Sequence, residues 1–207
     1  NQDNYLVCRN GTIRWRVGDA EEVVDAVERP EVLIAVADGM GGHEDGEIAA
    51  AAAVQALSRL YARPLPDSPE AELWAFLHDA HERVRQRVQR DGEVKMGTTL
   101  TAVWLLNDRA YWAHVGDSRL YHWRSDRITR ITRDQTREEF AHRDRRPAPS
   151  HPGYLAQNFI FGSRGLGNDA GLRIDRGLDT GALTLRGGDC LLISSDGLHG
   201  RLDDTQI

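Results

Sequence analysis

Six apolar residues, Val32-Leu33-Ile34-Ala35-Val36-Ala37, end abruptly on Asp38, and three glycines follow within four residues before His43 and an alanine-rich segment. The run has the length and β-branched content of a buried strand. A strand of this kind carries its last side chain to the edge of a core, where a carboxylate is costly unless a positive group meets it. Strand, glycine turn and helix must therefore fold around one acidic residue, and a metal ion is the positive group expected there.

On either side of this stretch the pattern is readable. Residues 4–9 and 12–17 read as strands around Asn10-Gly11, the strongest short signal for a tight hairpin. Residues 18–31 are polar and acidic and predict a surface connection. Residues 45–62 predict a helix whose face carries Ile48, the alanines, Val54, Leu57, Leu60 and Tyr61, ended by Arg63-Pro64. A second helix starts near Asp67-Ser68-Pro69, with Leu73, Leu77, Ala80, Val84 and Val88 as one apolar stripe and Gly92 as its stop.

From Gly97 the period becomes that of strands. Residues 98–106, 109–115, 119–124 and 127–132 predict an antiparallel meander. Residues 133–158 lose all period and predict a surface excursion. A last strand pair, 182–185 and 189–195, is expected to turn at Gly187-Gly188 and to end on Ser195-Asp196-Gly197. One α/β domain over 1–207, mostly antiparallel sheet with two long helices on it, is the simplest architecture.

The formal charge of −6 disfavours nucleic acid as a partner, because phosphate backbones need basic surfaces. No run approaches the ~18 apolar residues of a membrane span. The two cysteines, Cys8 and Cys190, both stand in apolar strand-like runs and predict buried, reduced thiols in a reducing, cytoplasmic compartment.

Three strands end alike: Asp38-Gly39 follows VLIAVA, Asp117 follows YWAHVG, and Asp196-Gly197 follows CLLISS. If the exits share one edge, three carboxylates converge, and each is driven towards its neutral form unless cations are present. Hard divalent ions with oxygen ligands, Mg²⁺ or Mn²⁺, suit such a set. No His/Cys cluster has zinc-ligand spacing. Two such ions about 3.5–4 Å apart can share one water and lower its pKa for attack on phosphorus.

These residues resemble a known family. Residues 36–43 with Gly46-Glu47 resemble the Asp-Gly-Met-Gly-Gly-His-x-x-Gly-Glu signature of the bacterial metal-dependent, type 2C Ser/Thr protein phosphatases. Asn1-Gln2-Asp3-Asn4, Met96-Gly97-Thr98-Thr99, His114-Val115-Gly116-Asp117-Ser118-Arg119, Thr132-Arg133-Asp134-Gln135-Thr136, His151-Pro152 with Arg164, Leu166 and Gly167, and Ser195-Asp196-Gly197-Leu198 are similar to further motifs of that family, in the right order. The resemblance implies a four-layer α-β-β-α sandwich of two mostly antiparallel sheets flanked by helices. It implies two Mn²⁺ or Mg²⁺ ions, with a third as an option. Asp38 would bridge both ions, Gly39 would bind one through its carbonyl, Asp196 would bind the other, Asp117 would help hold the third, and Asp3 would hold metal-bound waters. His43 is a candidate acid for the leaving oxygen, with capping of the glycine loop or contact with substrate as its alternatives. Residues 133–160 would form a flap that influences substrate choice.

The implied activity is hydrolysis of phosphoserine and phosphothreonine in proteins by a water bridged between two metals. Phosphoproteins and an opposing Ser/Thr kinase are the expected partners, and a monomer the expected state. The family's upstream arginine and its later Gly-x-x-Asp-Asn motif are not in this sequence, so trimming at both ends is expected. Asp203 and Asp204 read as an acidic helix start. The alternative is an inactive phosphatase-fold module that binds a phosphoprotein or kinase. Cys8 and Arg14 satisfy the C-x5-R spacing of cysteine phosphatases, but Trp15-Arg16-Val17 continues as a strand where that motif needs a helix.

Overall fold

Asn10 and Gly11 take the positive φ that a tight hairpin demands, 50° and 71°, and join β1 (Asn4–Arg9) to β2 (Thr12–Val17). The structure, a computed structural model, describes residues 2–17, 19–40, 43–91, 97–143, 145, 147 and 178–207. The side chains of 17, 43–45, 82–91, 137, 140 and 143 lie outside that description.

The predicted surface connection contains a strand. β3 (Ala20–Asp25) pairs antiparallel with β2 and is exposed at every position. With both faces solvated it carries no apolar alternation, the signal by which strands are read. β4 (Val32–Ala37) follows, then the short β5 (Gly39–Met40), helix α1 (His43–Tyr61) and helix α2 (Pro69–Asp91). β6 (Gly97–Thr98) pairs with β5. β7 (Leu100–Leu106) and β8 (Arg109–Val115) complete the large sheet with β11 (Asp179–Thr184), in the order β11-β8-β7-β4-β1-β2-β3.

The expected meander is divided. β9 (Arg119–Arg124) and β10 (Arg127–Arg130) leave the large sheet and pair with β12 (Cys190–Ser194) in a second sheet, ordered β10-β9-β12. Gly116, at φ +106°, turns the chain from one sheet to the other. The last pair is divided the same way: β11 joins β8 and β12 joins β9. A turn between sheets and a hairpin turn use the same residues, so the local sequence does not separate them. The predicted excursion contains the helix α3 (Arg137–Arg143), and Asp196–His199 forms the short α4 after β12.

Strand alternation sorts the two faces of the large sheet. Leu6, Cys8, Leu33, Ala35, Ala37, Leu100, Ala102 and Trp104 pack with α1 and α2 through Ala49, Ala50, Ala53, Val54, Leu57, Leu60, Leu73 and Leu77. The alanines let α1 come close to the strands. The opposite face, with Ile34, Val103, Leu105 and Trp112, meets Leu120, Leu191 and Ile193 of the small sheet. Helices, large sheet and small sheet are thus successive layers of the expected α/β sandwich among the described residues. Two side chains depart from expectation. Ile48 is 56% exposed, outside the buried stripe of α1. Cys190, first residue of β12, is exposed, whereas Cys8 is buried. Cys8 lies opposite Ile13 in the hairpin, and burial pushes its thiol up to about 12, so it is no nucleophile.

Candidate metal centre

β4 delivers Asp38 to the end of the large sheet, and the glycine-threonine segment of β6 clasps the turn that follows. The Asp38 N–H donates to Thr99 Oγ1 at 3.0 Å. Its carbonyl accepts from the Thr99 N–H and the Thr98 hydroxyl, each at 2.9 Å. Gly39 then meets the first turn of α1 backbone to backbone: a Cβ on Gly39 would overlap the Gly46 carbonyl. Gln2 lies against Gly46 from the other side. Two glycines of the signature are therefore there for close approach.

Three chain regions bring carboxylates to this point. Asp38 is within side-chain hydrogen-bonding reach of both Asp3, just before β1, and Asp196, at the start of α4. The Ser195 hydroxyl donates to Asp3 Oδ2 at 3.2 Å and ties the start of the described chain to the exit of β12. Burial first, and then the negative charges of Asp3 and Asp196, push the Asp38 carboxyl up to about 8. Asp117 joins from the turn between the sheets. Burial and then the charges of Asp196 and Asp134 push it up to about 6. Asp196 thus acts on both groups. Of the three strand exits, those of Asp38 and Asp196 meet, with Asp3 beside them, and Asp117 feels the charge of Asp196 from the turn between the sheets.

Such a cluster is stable only when protons or cations lie between the oxygens. Among the described residues, no three carboxylate, imidazole or thiolate groups form a finished coordination cage. The donor set is nevertheless all oxygen, and Asp38 lies within hydrogen-bonding reach of Asp3 and Asp196. That chemistry fits a hard divalent cation such as Mg²⁺ or Mn²⁺, and not a softer ion that prefers thiolate.

The Asp117 turn is held by residues to which the sequence analysis gave no role in the site. The Gln135 N–H donates to the Gly116 carbonyl at 2.7 Å, and the Gly116 N–H returns a bond to Gln135 Oε1 at 2.9 Å. Arg119 grips Asp134 with Nε and Nη2, at 2.9 and 2.7 Å. Asp204 accepts from Arg119 Nη1 at 3.1 Å and from the Tyr121 hydroxyl at 2.9 Å, so it serves this clamp. Asp203 caps a C-terminal turn, accepting from the N–H groups of Thr205 and Gln206, where a helix start was expected. Several of these residues stand in the quoted motifs, but only the sheet order reveals that they bond one another.

The backbone of His43 opens α1, and its side chain lies outside the described residues. So do Gly92, Met96, His151, Pro152, Arg164, Leu166 and Gly167, the side chains of Val84 and Val88, and most of the expected flap. On α2, His78 stacks on Trp74 with ring centroids 5.0 Å apart, and His81 is buried.

The chain is similar to known proteins. The family described as protein phosphatase 2C matches residues 19–206. The serine/threonine protein phosphatase PstP of Mycobacterium tuberculosis (strain CDC 1551 / Oshkosh) is 31% identical over 191 residues, covering 88% of this chain and 35% of that protein. The chain thus spans about a third of that relative's length. The protein phosphatase PhpP of Streptococcus pneumoniae serotype 2 is 31% identical over 182 residues, 84% of this chain and 70% of that protein. The crystal structure of the catalytic domain of PstP in complex with two manganese ions superposes with a TM-score of 0.67 at 28% identity, over 98% of this chain and 81% of that one.

Proposed function

The chain belongs to the protein phosphatase 2C family, and from that premise we propose that it hydrolyses phosphoserine and phosphothreonine in proteins with the help of divalent cations held around Asp38. The observation that carries this reading is the contact of Asp38 with both Asp3 and Asp196. These three acids come from distant parts of the sequence, and Asp3 and Asp196 both raise the Asp38 carboxyl. The catalytic domain of the relative PstP holds two manganese ions, and the oxygen donors here suit the same metal or Mg²⁺.

In this reading Asp38 and Asp196 would be the principal ligands that hold the cations. Gly39 offers its carbonyl at a position where a side chain would not fit. Asp117, fixed by the Gly116–Gln135 bonds, would help hold a further ion. Asp3, oriented by Ser195, would hold metal-bound water. When bound, such cations neutralise the carboxylates, lower the pKa of water and polarise the phosphoryl oxygens. His43, at the start of α1, is the group assigned to protonate the leaving seryl or threonyl oxygen.

The substrates are phosphoproteins, the opposing activity is a Ser/Thr kinase, and the domain acts as a cytoplasmic monomer over 1–207. Among the described residues no helix is long and apolar enough to cross a membrane. Hydrolysis of p-nitrophenyl phosphate and of phosphothreonine peptides by the full-length protein, with and without Mn²⁺, tests the proposal. Mn²⁺-dependent turnover is expected. Phosphopeptide binding without turnover would instead establish the binding-module alternative.

A further inference from the structure

A chain of buried hydrogen bonds and one longer polar contact runs from the Asp38 turn to the segment after β10. Thr99 Oγ1, which accepts the Asp38 N–H, lies 2.6 Å from Ser118 Oγ. The Ser118 carbonyl faces Thr101 Oγ1 at 3.3 Å. Thr101 Oγ1 lies 2.9 Å from His114 Nδ1, its partner across β7 and β8. His114 Nε2 reaches the Arg133 carbonyl at 3.0 Å.

The partners fix the direction of these bonds. The Arg133 carbonyl can only accept, so Nε2 carries the imidazole proton and Nδ1 is the bare acceptor for the Thr101 hydroxyl, whose single proton points chiefly to Nδ1 and leaves the Ser118 carbonyl at 3.3 Å as the weaker arm of a shared bond. Burial lowers the imidazole's pKa from its ordinary value, which agrees with a neutral ring. Thr99, Thr101, His114 and Ser118 are each no more than 1% exposed. Valine would fill the threonine positions equally well by volume. Four polar side chains in a dry interior are costly unless all are bonded.

The termini of the chain matter more than its interior. One end holds the backbone of Asp38, the middle holds Ser118 beside Asp117, and the far end holds Arg133 beside Asp134 of the Arg119 clamp. We propose that Thr101 and His114 are positioning residues for the carboxylate centre: the buried chain they complete sets the spacing between the Asp38 and Asp117 turns, and with it the affinity of the centre for divalent cations. This rests on the metal-centre reading above. Neither residue touches cation or substrate; both act through Ser118 and Arg133.

The test is Mn²⁺ titration of the full-length protein followed by electron paramagnetic resonance, on wild type, Thr101→Val, Thr101→Ser and His114→Phe. Loss of the Thr101 hydroxyl is expected to weaken Mn²⁺ binding about tenfold, in the range for groups that orient metal ligands, while Thr101→Ser stays within ~threefold of wild type. Turnover of p-nitrophenyl phosphate by Thr101→Val should recover when Mn²⁺ is raised by the same factor, which a merely structural defect would not show. A cooperatively folded Thr101→Val with wild-type Mn²⁺ affinity overturns the proposal. If Thr101→Val does not fold, Ser118→Ala, which deletes the 2.6 Å link, decides in its place by the same criterion. A wild type that binds no Mn²⁺ overturns the metal centre itself, whereas equal binding by all variants overturns only the positioning role.

Discussion

β9 has an aspartate cluster near each of its ends, and the two clusters are opposites. At its start, Asp38 and Asp117 face other carboxylates and are pushed towards their neutral forms. At its finish, Asp189 is gripped by Arg124 through Nε at 2.9 Å and Nη2 at 2.5 Å, with His122 Nε2 at 3.0 Å and the Arg186 N–H at 2.9 Å. The Arg124 guanidinium holds the Asp189 carboxyl well below the usual carboxylate range. Arg119 and Asp134 repeat this pairing close to the first cluster. The same side chain thus serves two ends. Where its charge is matched within the protein it closes a turn and strengthens the fold. Where it is set against its own kind the fold is strained, and a ligand must supply the missing charge.

The largest expected effect tests the unmatched end. Asp38→Ala and Asp196→Ala should each lower Mn²⁺-dependent hydrolysis of p-nitrophenyl phosphate by more than about 100-fold, beyond the 10–100-fold typical of groups that only orient a ligand. With metal removed by EDTA the same variants should melt no lower than wild type, because they relieve repulsion. Full activity in either variant would break the contrast between the two ends. So would a melting temperature that collapses in EDTA, since that would make the cluster a structural element.

The next effect comes from backbone geometry. Gly39→Ala would drive a Cβ into the Gly46 carbonyl, where neither atom belongs to a flexible side chain. The cost of such overpacking is about 1–3 kcal/mol, and Mn²⁺ affinity should fall with it as the Asp38 turn shifts. Urea unfolding and Mn²⁺ titration of the variant check both. Unchanged Mn²⁺ affinity would show that the turn tolerates displacement and that close approach here serves stability alone.

This contrast was only partly legible in the sequence. Strand β4, the Asp38 turn and α1 were readable because length, period and glycine placement all agreed. The three acidic strand exits could be seen, but their meeting depends on the order of strands in two sheets, which no local pattern carries. The Arg124–Asp189 clamp left no signal for the same reason, since its partners lie 65 positions apart. β3 was missed because both of its faces are wet, and the division of the expected meander because Gly116-Asp117-Ser118 looks locally like any turn. Cys190 read as buried because CLLISS is apolar, yet it opens an edge strand and points outward. Composition gives the cost of burial; topology decides which residues bear it.

At the matched end the expected dependence is on acid, not on metal. A carboxyl whose folded pKa is depressed contributes stability that is fully present above its unfolded value, about 3.9, and is lost as the pH falls through the folded value. Asp189→Asn should therefore be less stable than wild type near neutral pH and should lose less on acidification below about pH 4. Thermal melts from pH 7 down to pH 3 measure the difference. The rise in melting temperature on adding Mn²⁺ should be the same in this variant as in wild type. A variant that lost its response to Mn²⁺ would couple the two ends and remove the distinction between them.

The smallest effects lie in the turn that presents Asp189, and there two neighbouring glycines should respond with opposite sign. The Asp189 N–H bonds to the Arg186 carbonyl at 3.0 Å and closes a four-residue turn over Gly187 and Gly188. Gly188, third in that turn, has φ +91°, which a side chain adopts only with strain. Around both glycines nothing stands within 4 Å of an added Cβ, so packing does not enter. Gly188→Ala should cost about 1 kcal/mol from backbone strain alone. Gly187, without a positive φ, should gain a few tenths of a kcal/mol as alanine, because the unfolded chain loses freedom. Urea midpoints of the two variants at neutral pH resolve these signs. If Gly188→Ala also flattened the acid dependence assigned to Asp189, the turn would be shown to place the carboxylate for Arg124, and the matched end would depend on backbone conformation as the Asp38 turn depends on Gly39.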